Sequence, residues 1–338
     1  MIKKLRIVLI LGFIILRGSA VFAQDPVFSQ FFASPLQLNP AFAGNAFAPF
    51  IALNYRMQYP AFNGSGAAYS TFAASYDQHL SGLNSGIGFS IMADDAGQGI
   101  YKKTYTNIDY SYKVSINQHL TTRLGVEVGF IQSNLDWSKL VFPDQIGDLG
   151  NSGAPLRPTG EIPIAENSRT IFDMSMGAVI YGSGFHAGFT AKHLATPNEG
   201  FINANQNLRI GLPTRWTIHG GYEIVLKKAT RYSPANYITP LLMHVRQGDF
   251  NQTVAGASGG FGYITAGLMY RHSGSSPESI ITMVGFKQDY FKIGYSYDYS
   301  IGSLFGRTSG SHEISVTINL DPYAGKKIDI NDCFKIFR

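Results

Sequence analysis

From residue 49 onward the chain alternates apolar and polar residues in one stretch after another. In Phe291-Lys292-Ile293-Gly294-Tyr295-Ser296-Tyr297-Asp298-Tyr299 one face is Phe, Ile, Tyr, Tyr, Tyr and the other Lys, Gly, Ser, Asp. In Glu313-Ile314-Ser315-Val316-Thr317-Ile318-Asn319-Leu320 the faces are Ile, Val, Ile, Leu against Glu, Ser, Thr, Asn. The stretches 108–116, 124–130 and 216–224 follow the same scheme. A period of two predicts β-strands with one apolar and one polar face.

Such strands have two homes. A soluble sandwich turns the apolar face inward; a membrane barrel turns it outward to lipid and the polar face to a wet lumen. Several stretches run about ten residues, the length that crosses a bilayer at a tilt, where ordinary strands average about five or six. Tyr and Phe gather near segment ends, as in interfacial girdles: Tyr55 and Tyr59, Tyr101 and Tyr105, Tyr295, Tyr297 and Tyr299. The polar faces carry Arg56, Asp109, Lys113, Glu127, Glu223, Lys292, Asp298 and Glu313, read as lumenal charges. The pattern favours an all-β, transmembrane, antiparallel up-and-down β-barrel.

Predicted strands cover 49–58, 66–78, 84–94, 99–116, 119–133, 169–181, 184–193, 208–227, 236–247, 251–258, 260–271, 278–288, 290–299 and 312–320, about 14 in all. An even number brings both ends to one side, the periplasm in such barrels. Short connections at Asn117-Gln118, Gly182-Ser183, Gly259 and Asp289 alternate with the longer 134–168, 194–207, 272–277 and 300–311. The segment 227–235 (KKATRYSPA) breaks the alternation, being long on the short side. The expected organisation is a leader over 1–23, a periplasmic segment over 24–48 packing on or plugging the barrel, a barrel over 49–320 and a periplasmic tail over 321–338. In the barrel, Ile314, Val316 and Ile318 are expected toward lipid, and Glu313, Ser315 and Thr317 toward the lumen, where substitutions should be tolerated better.

The leader reading rests on Lys3, Lys4 and Arg6, an apolar run from Ile7 to Leu16, and Val21-Phe22-Ala23 before Gln24. Its removal leaves 23 basic against 22 acidic residues. With no blocks of like charge, no nucleic-acid partner is expected. Only 14% of residues are charged, against 37 Gly, 19 Tyr and 24 Phe, where a soluble domain carries roughly 25% charge. The lead-in is too apolar to float: Phe28, Phe31, Phe32, Leu36, Leu38, Phe42 and Phe47 fall within it. Phe28, Phe31, Phe32, Asn39 and Pro40 are the expected plug residues.

Chemistry finds little support. Gly256-Ala257-Ser258-Gly259-Gly260 matches G-x-S-x-G, but the nucleophile elbow needs a helix after it, and Phe261 to Tyr270 reads as strand. The eight His form no metal-binding spacing, and His193, His219, His244 and His312 are expected at the lumen or interface. Asp94-Asp95-Ala96-Gly97-Gln98-Gly99 lacks the further carboxylates of a calcium loop and reads as a turn. Cys333, the single cysteine, has no internal partner. No catalytic, cofactor or metal site is expected.

The start of the mature chain, Gln24-Asp25-Pro26-Val27-Phe28-Ser29-Gln30-Phe31-Phe32 followed by Asn39-Pro40-Ala41-Phe42-Ala43-Gly44, resembles the opening of the PorP/SprF family of outer-membrane proteins. Further similarities fall in order at Arg56-Met57-Gln58-Tyr59, Tyr76-Asp77, Gly86-Ile87-Gly88, Asp95-Ala96-Gly97, Tyr297-Asp298-Tyr299-Ser300 and Ser311-His312-Glu313-Ile314. Cys333 stands where a Cys-containing tail is common in the family, with Phe334 in place of the usual Pro. The resemblance implies a non-enzymatic barrel of the type IX secretion and gliding apparatus. It would assist export or surface attachment of a large adhesin-like protein through that protein's C-terminal domain. The implied partners are outer-membrane lipid, the exported protein and type IX secretion components. The long connections would grip the exported partner, with Phe142, Phe201 and Phe305 as apolar anchors or as packing within their own loops. The competing readings are a diffusion porin or ligand-specific uptake channel, and a membrane hydrolase.

Overall fold

A computed structural model of the chain describes residues 24–46, 48–60, 67–146, 158–163, 167–201, 211–228, 234–274, 276–288, 290–302, 305–306 and 308–320. The expected leader over 1–23, Phe47 and the expected tail over 321–338 with Cys333 lie outside the described residues.

Fourteen antiparallel strands close into a ring. They are β1 (Phe50–Gln58), β2 (Tyr69–Leu80), β3 (Ser85–Ala96), β4 (Tyr101–Ser115), β5 (Thr121–Leu135), β6 (Ser168–Gly182), β7 (Phe185–Lys192), β8 (Arg215–Tyr222, continued by Ile224–Lys227), β9 (Asn236–Gln247), β10 (Phe250–Phe261), β11 (Ile264–Ser273), β12 (Ser276–Gln288), β13 (Phe291–Ser300) and β14 (Ser311–Asn319). Each pairs with its sequence neighbours, and β1 pairs with both β2 and β14, which closes the sheet. Among the described residues, closure pairs the strands on both sides except for the end of β8 at the rim, as a bilayer demands of the spanning wall. Among the described residues no helix is long and apolar enough to cross a membrane.

The predicted alternation sets the faces. In β5 Leu124, Val126, Val128 and Phe130 are exposed on the outside while Gly125, Glu127 and Gly129 are buried within. In β14 Ile314 is exposed, and Glu313, Ser315 and Thr317 are buried. The predicted strands differ from those observed mainly in two places. The strand expected over 251–258 runs on to Phe261, so the turn falls at Gly262-Tyr263 rather than Gly259. The one expected over 208–227 begins at Arg215 and is interrupted at Glu223. The interruption has a cause on the neighbouring strand. β9 pairs Leu241 with Gly221 and Ile238 with Ile224, leaving Thr239 and Pro240 opposite the break. Proline has no N–H to give to a ladder.

We call the rim where β1 begins and β14 ends proximal, and the opposite rim, with the long connections, distal. A chain that both begins and ends beside the proximal rim is the simplest expectation. Instead Gln24 lies at the distal rim, beside Tyr59, Tyr69, Tyr101 and Ser300 at the distal ends of β1, β2, β4 and β13. The segment between Gln24 and β1 therefore runs the length of the lumen.

The face assignment has a direct test. Val316→Arg, at the middle of β14 on the outer face, is expected to cost about 2–4 kcal/mol. Ser315→Ala, which removes one hydrogen bond to Gln30, is expected to cost about 1 kcal/mol. Urea titration in lipid vesicles, followed by heat-modified gel migration, compares them; a loss for Val316→Arg no larger than that for Ser315→Ala would contradict the face assignment.

Candidate functional site in the lumen

Residues 24–46 fold as a chain of tight turns, with single turns of helix at Phe31–Ala33, Pro35–Leu38 and Pro40–Phe42. Pro35 and Pro40 open two of them, where a missing N–H leaves nothing unsatisfied. The Asn39 side chain caps the third by accepting from Ala41 N at 2.9 Å. Phe28, Phe31, Phe32, Leu36 and Phe42 are all buried.

What they bury against is a second feature of the wall. Leu241, Met243 and Val245 of β9, Val254 of β10, Met269 of β11 and Ile281 of β12 point inward and are buried with Phe31 and Phe32 in one cluster. The lumen is thus apolar on one side. On the opposite side the segment comes so close that only glycine fits beneath it. A Cβ on Gly125 of β5 would stand 2.2 Å from Ala41 N, and one on Gly86 of β3 would stand 2.2 Å from the Ala43 carbonyl oxygen.

Three polar anchors fix the segment along its length. Nearest the proximal rim, the Ala43 carbonyl accepts from Arg123 at 2.6 Å and Ser111 at 2.7 Å, and Gly44 N donates to Asp77 at 2.9 Å. In the middle, Asn39 Nδ2 donates to the Ala178 and Phe189 carbonyls at 3.1 and 3.2 Å. Between β11, β13, β14 and β1 lies an ionic knot. Arg56 reaches Asp298 at 2.8 Å and Glu313 at 3.0 Å, and Arg271 reaches Asp298 at 2.6 Å. The segment completes it: Ser29 N and Gln30 N donate to the two oxygens of Glu313 at 2.7 and 2.8 Å, and Ser29 Oγ donates to Asp298. Four buried charges are thus both paired and hydrogen-bonded, the condition under which burial of ions is tolerated.

At the distal end Asp25 is the latch. Its carboxylate accepts from Tyr105 at 2.9 Å and Gln247 at 3.1 Å, and it meets His193 Nε2 at 2.5 Å. His193 lies just beyond β7, and its Nδ1 meets Asp173 at 2.7 Å. Burial alone would lower the imidazolium's pKa, but Asp25 and Asp173 outweigh it and raise it to about 9. Burial would raise the Asp25 carboxyl, and the charges of His193, Arg215 and Lys103 instead hold it well below the usual carboxylate range.

The remaining expected residues fall in varied places. Lys292 is buried with its ammonium over the Phe32 ring, 5.1 Å from the centroid. Glu127 pairs with Lys192 at 3.0 Å and accepts from Ser175 at 2.7 Å. Asp109 lies directly across the ladder from Glu127, buried, with no hydrogen-bond donor among the described residues. Lys113 is half-buried toward the proximal rim, and Glu223 sits half-buried in the β8 interruption. His219 is buried beside Phe42, whereas His244 and His312 lie on the outward face. Ser258 lies within β10, paired on both sides, with no helix after it. The Asp94–Gly99 stretch is the end of β3 and a turn; Asp95 accepts from Gly99 N and pairs with Lys102 at 3.7 Å. Phe142 is half-buried and packs on Trp137 at 4.9 Å; Phe201 meets Tyr101 edge-on at 6.3 Å. Phe305 touches Tyr299 and is 59% exposed. Above the segment, the distal rim opens into a cavity of about 590 Å³, lined by Gln24, Tyr59, Tyr69, Tyr101, Lys103 and Arg271 among others.

The apolar inner wall and the Asp25 latch escape a sequence reading based on period two. Strand β9 does carry a signal for the wall, since Leu241, Leu242, Met243 and Val245 make it apolar on both faces.

A closed barrel with an apolar outer face and a lumen occupied by its own chain defines an integral outer-membrane protein with an internal plug. Residues 20–318 match the family model described as type IX secretion system membrane protein PorP/SprF. The chain belongs to the PorP/SprF family. No match was found among curated proteins. Similar solved structures include the Acinetobacter baumannii outer membrane protein Omp33, at 7% identity and TM-score 0.44, covering 81% of this chain and 99% of that one. The CymD monoaromatic hydrocarbon channel is similar at 14% identity and TM-score 0.42, covering 88% and 94%. A mutant of the Rh. blastica porin is similar at 8% identity and TM-score 0.34, covering 80% and 98%.

The knot and the latch give two predictions. Arg56→Met leaves Glu313 without an ion partner and Asp298 with Arg271 alone, and is expected to destabilise by about 3–5 kcal/mol, with residues 24–46 becoming open to protease in intact membranes. For the latch, a pKa raised in the folded state contributes stability that is complete below about 6.5 and is lost as pH rises through about 9. Protection factors of residues 25–30, taken relative to the base-catalysed rate of a free amide, should therefore fall between pH 8 and 10, and His193→Gln should flatten that fall. Protection that stays constant over that range in the native protein would remove His193 from the latch.

Proposed function

We propose that this chain is a non-enzymatic barrel of the type IX secretion apparatus that assists export or surface anchoring of a large secreted protein, with its distal rim turned outward. The observation that carries the reading is the filled lumen. A diffusion porin needs an open aqueous path, and here Phe31, Phe32, Leu36 and Phe42 lie buried across it, backed by an apolar wall. A protein that blocks its own channel is suited to holding a partner rather than passing solutes.

The orientation follows from connection length, since periplasmic turns are short and outer loops long in such barrels. The distal loops then face the exterior, as does the cavity above Gln24. An exported adhesin-like protein would dock there through its C-terminal domain, and Phe305 is the most exposed of the three candidate anchors. Phe142 and Phe201 serve mainly to shape their own loops, given their ring contacts with Trp137 and Tyr101. Other secretion components would be met on the periplasmic side.

Two measurements test the reading together. The purified barrel should show no steady conductance in planar bilayers, and the triple variant Phe28→Ser, Phe31→Ser, Phe32→Ser should conduct. Deletion of the gene, or shortening of the 134–168 loop with assembly intact, should strip one or a few large proteins from the cell surface while small-solute permeability stays unchanged. An intact surface proteome with collapsed uptake of a solute would establish the porin reading instead.

A further inference from the structure

The long connection on the short side, 227–235, has a structural counterpart that the plug and the distal loops leave unused. Beyond its interruption β8 continues as Ile224–Lys227, and the continuation is hydrogen-bonded to β9 alone. On its other flank β7 begins only at Phe185, opposite Tyr222. The last contact on that flank is Glu223 N donating to the Gly184 carbonyl at 2.7 Å. Successive residues of an antiparallel strand turn their backbone groups to alternate sides, so Val225 turns toward the same flank as Glu223. There, among the described residues, no strand pairs with it. The result is a short open edge at the proximal rim of an otherwise closed ring.

The side chains around this edge are unusual for a lumen-facing or lipid-facing run. Ile224, Val225 and Leu226 are all about half exposed, on both faces of the strand, and Lys227 and Lys228 follow, exposed, at its tip. An unpaired edge is not stable in hydrocarbon, and an apolar one in water is a template for strand addition.

We propose that this edge binds an extended segment of another polypeptide by β-strand addition, apolar at alternate positions and carrying Asp or Glu where it meets Lys227 and Lys228. The chemistry selects among occupants. Backbone groups supply the pairing, Ile224, Val225 and Leu226 supply apolar contacts on both faces, and the two lysines call for carboxylates. A second copy of this chain fits poorly. Two copies in one membrane are related by an axis along the membrane normal, which lays the edges parallel and sets each lysine pair beside its like. The proposal does not depend on the anchoring role of the distal rim and would stand if that role failed.

Hydrogen exchange read by mass spectrometry over residues 224–227 is the test. The full-length protein is compared in native outer-membrane vesicles and, purified, in nanodiscs of lipid from the same membranes. At least tenfold slower exchange in the native membranes is expected, together with loss of that protection in the double variant Lys227→Glu, Lys228→Glu. Heat-modified migration must show that the variant barrel is intact. Equal exchange in the two settings would overturn the proposal, and so would protection that survives the charge reversal. Protection already present in the purified barrel would overturn it as well; its loss on removal of residues 321–338 would then identify the chain's own tail as the occupant.

Discussion

A ring of fourteen strands is too wide for its own inward side chains to fill, and the interior of this protein follows from how that space is occupied. The segment between Gln24 and β1 is fixed by contacts on every side: Glu313 and Asp298 on one wall, Gly86 and Gly125 on another, the Ala178 and Phe189 carbonyls on a third. The two carboxylates of the knot would be stranded without Arg56 and Arg271, and Ser29 and Gln30 take up their remaining acceptor capacity. The wall and the segment are therefore one folding unit. An empty version of this barrel would expose Leu241, Met243, Val254 and Ile281 to water, at roughly 25 cal/mol for each Å² of apolar surface.

That coupling gives the two ends of the segment different characters. At the proximal end the backbone of Ala43 and Gly44 is held by Arg123, Ser111 and Asp77, and continues directly into β1. At the distal end Asp25 accepts from Tyr105 and Gln247, and its pairing with His193 is the contact that titrates. Loosening should begin at the end closest to solvent, the distal one beneath the cavity, where the latch also depends on the charge of His193.

Much of the barrel was legible in the sequence because lipid imposes a strict rule on the outer face. Leu124, Val126, Val128 and Phe130, or Ile314 and Ile318, could satisfy a bilayer in only one register. The charged residues on the opposite parity were legible as lumenal, but their partners were not. Arg56 meets Glu313 across 257 positions of chain and Ser29 meets Glu313 across 284, and no local pattern encodes such meetings. The apolar inner wall was hidden because Leu241 and Met243 obey no lipid rule; they make sense only once Phe31 and Phe32 are seen against them. The break in β8 was readable in principle, since Pro240 in a central strand forbids a continuous ladder. Gln24 at the distal rim could not be inferred, because strand parity fixes where the barrel starts and says nothing of a segment that threads it.

The segment from Gln24 to β1 crosses the whole lumen, and labelling at Gln24 tests this most directly. In a variant carrying Gln24→Cys and Cys333→Ser, a membrane-impermeant maleimide added to intact cells should label the single thiol. A thiol placed at Ala46 in the same background should be labelled only after the outer membrane is opened. Gln24→Cys that stays unlabelled in intact cells, and reacts only once the periplasm is exposed, would contradict the account.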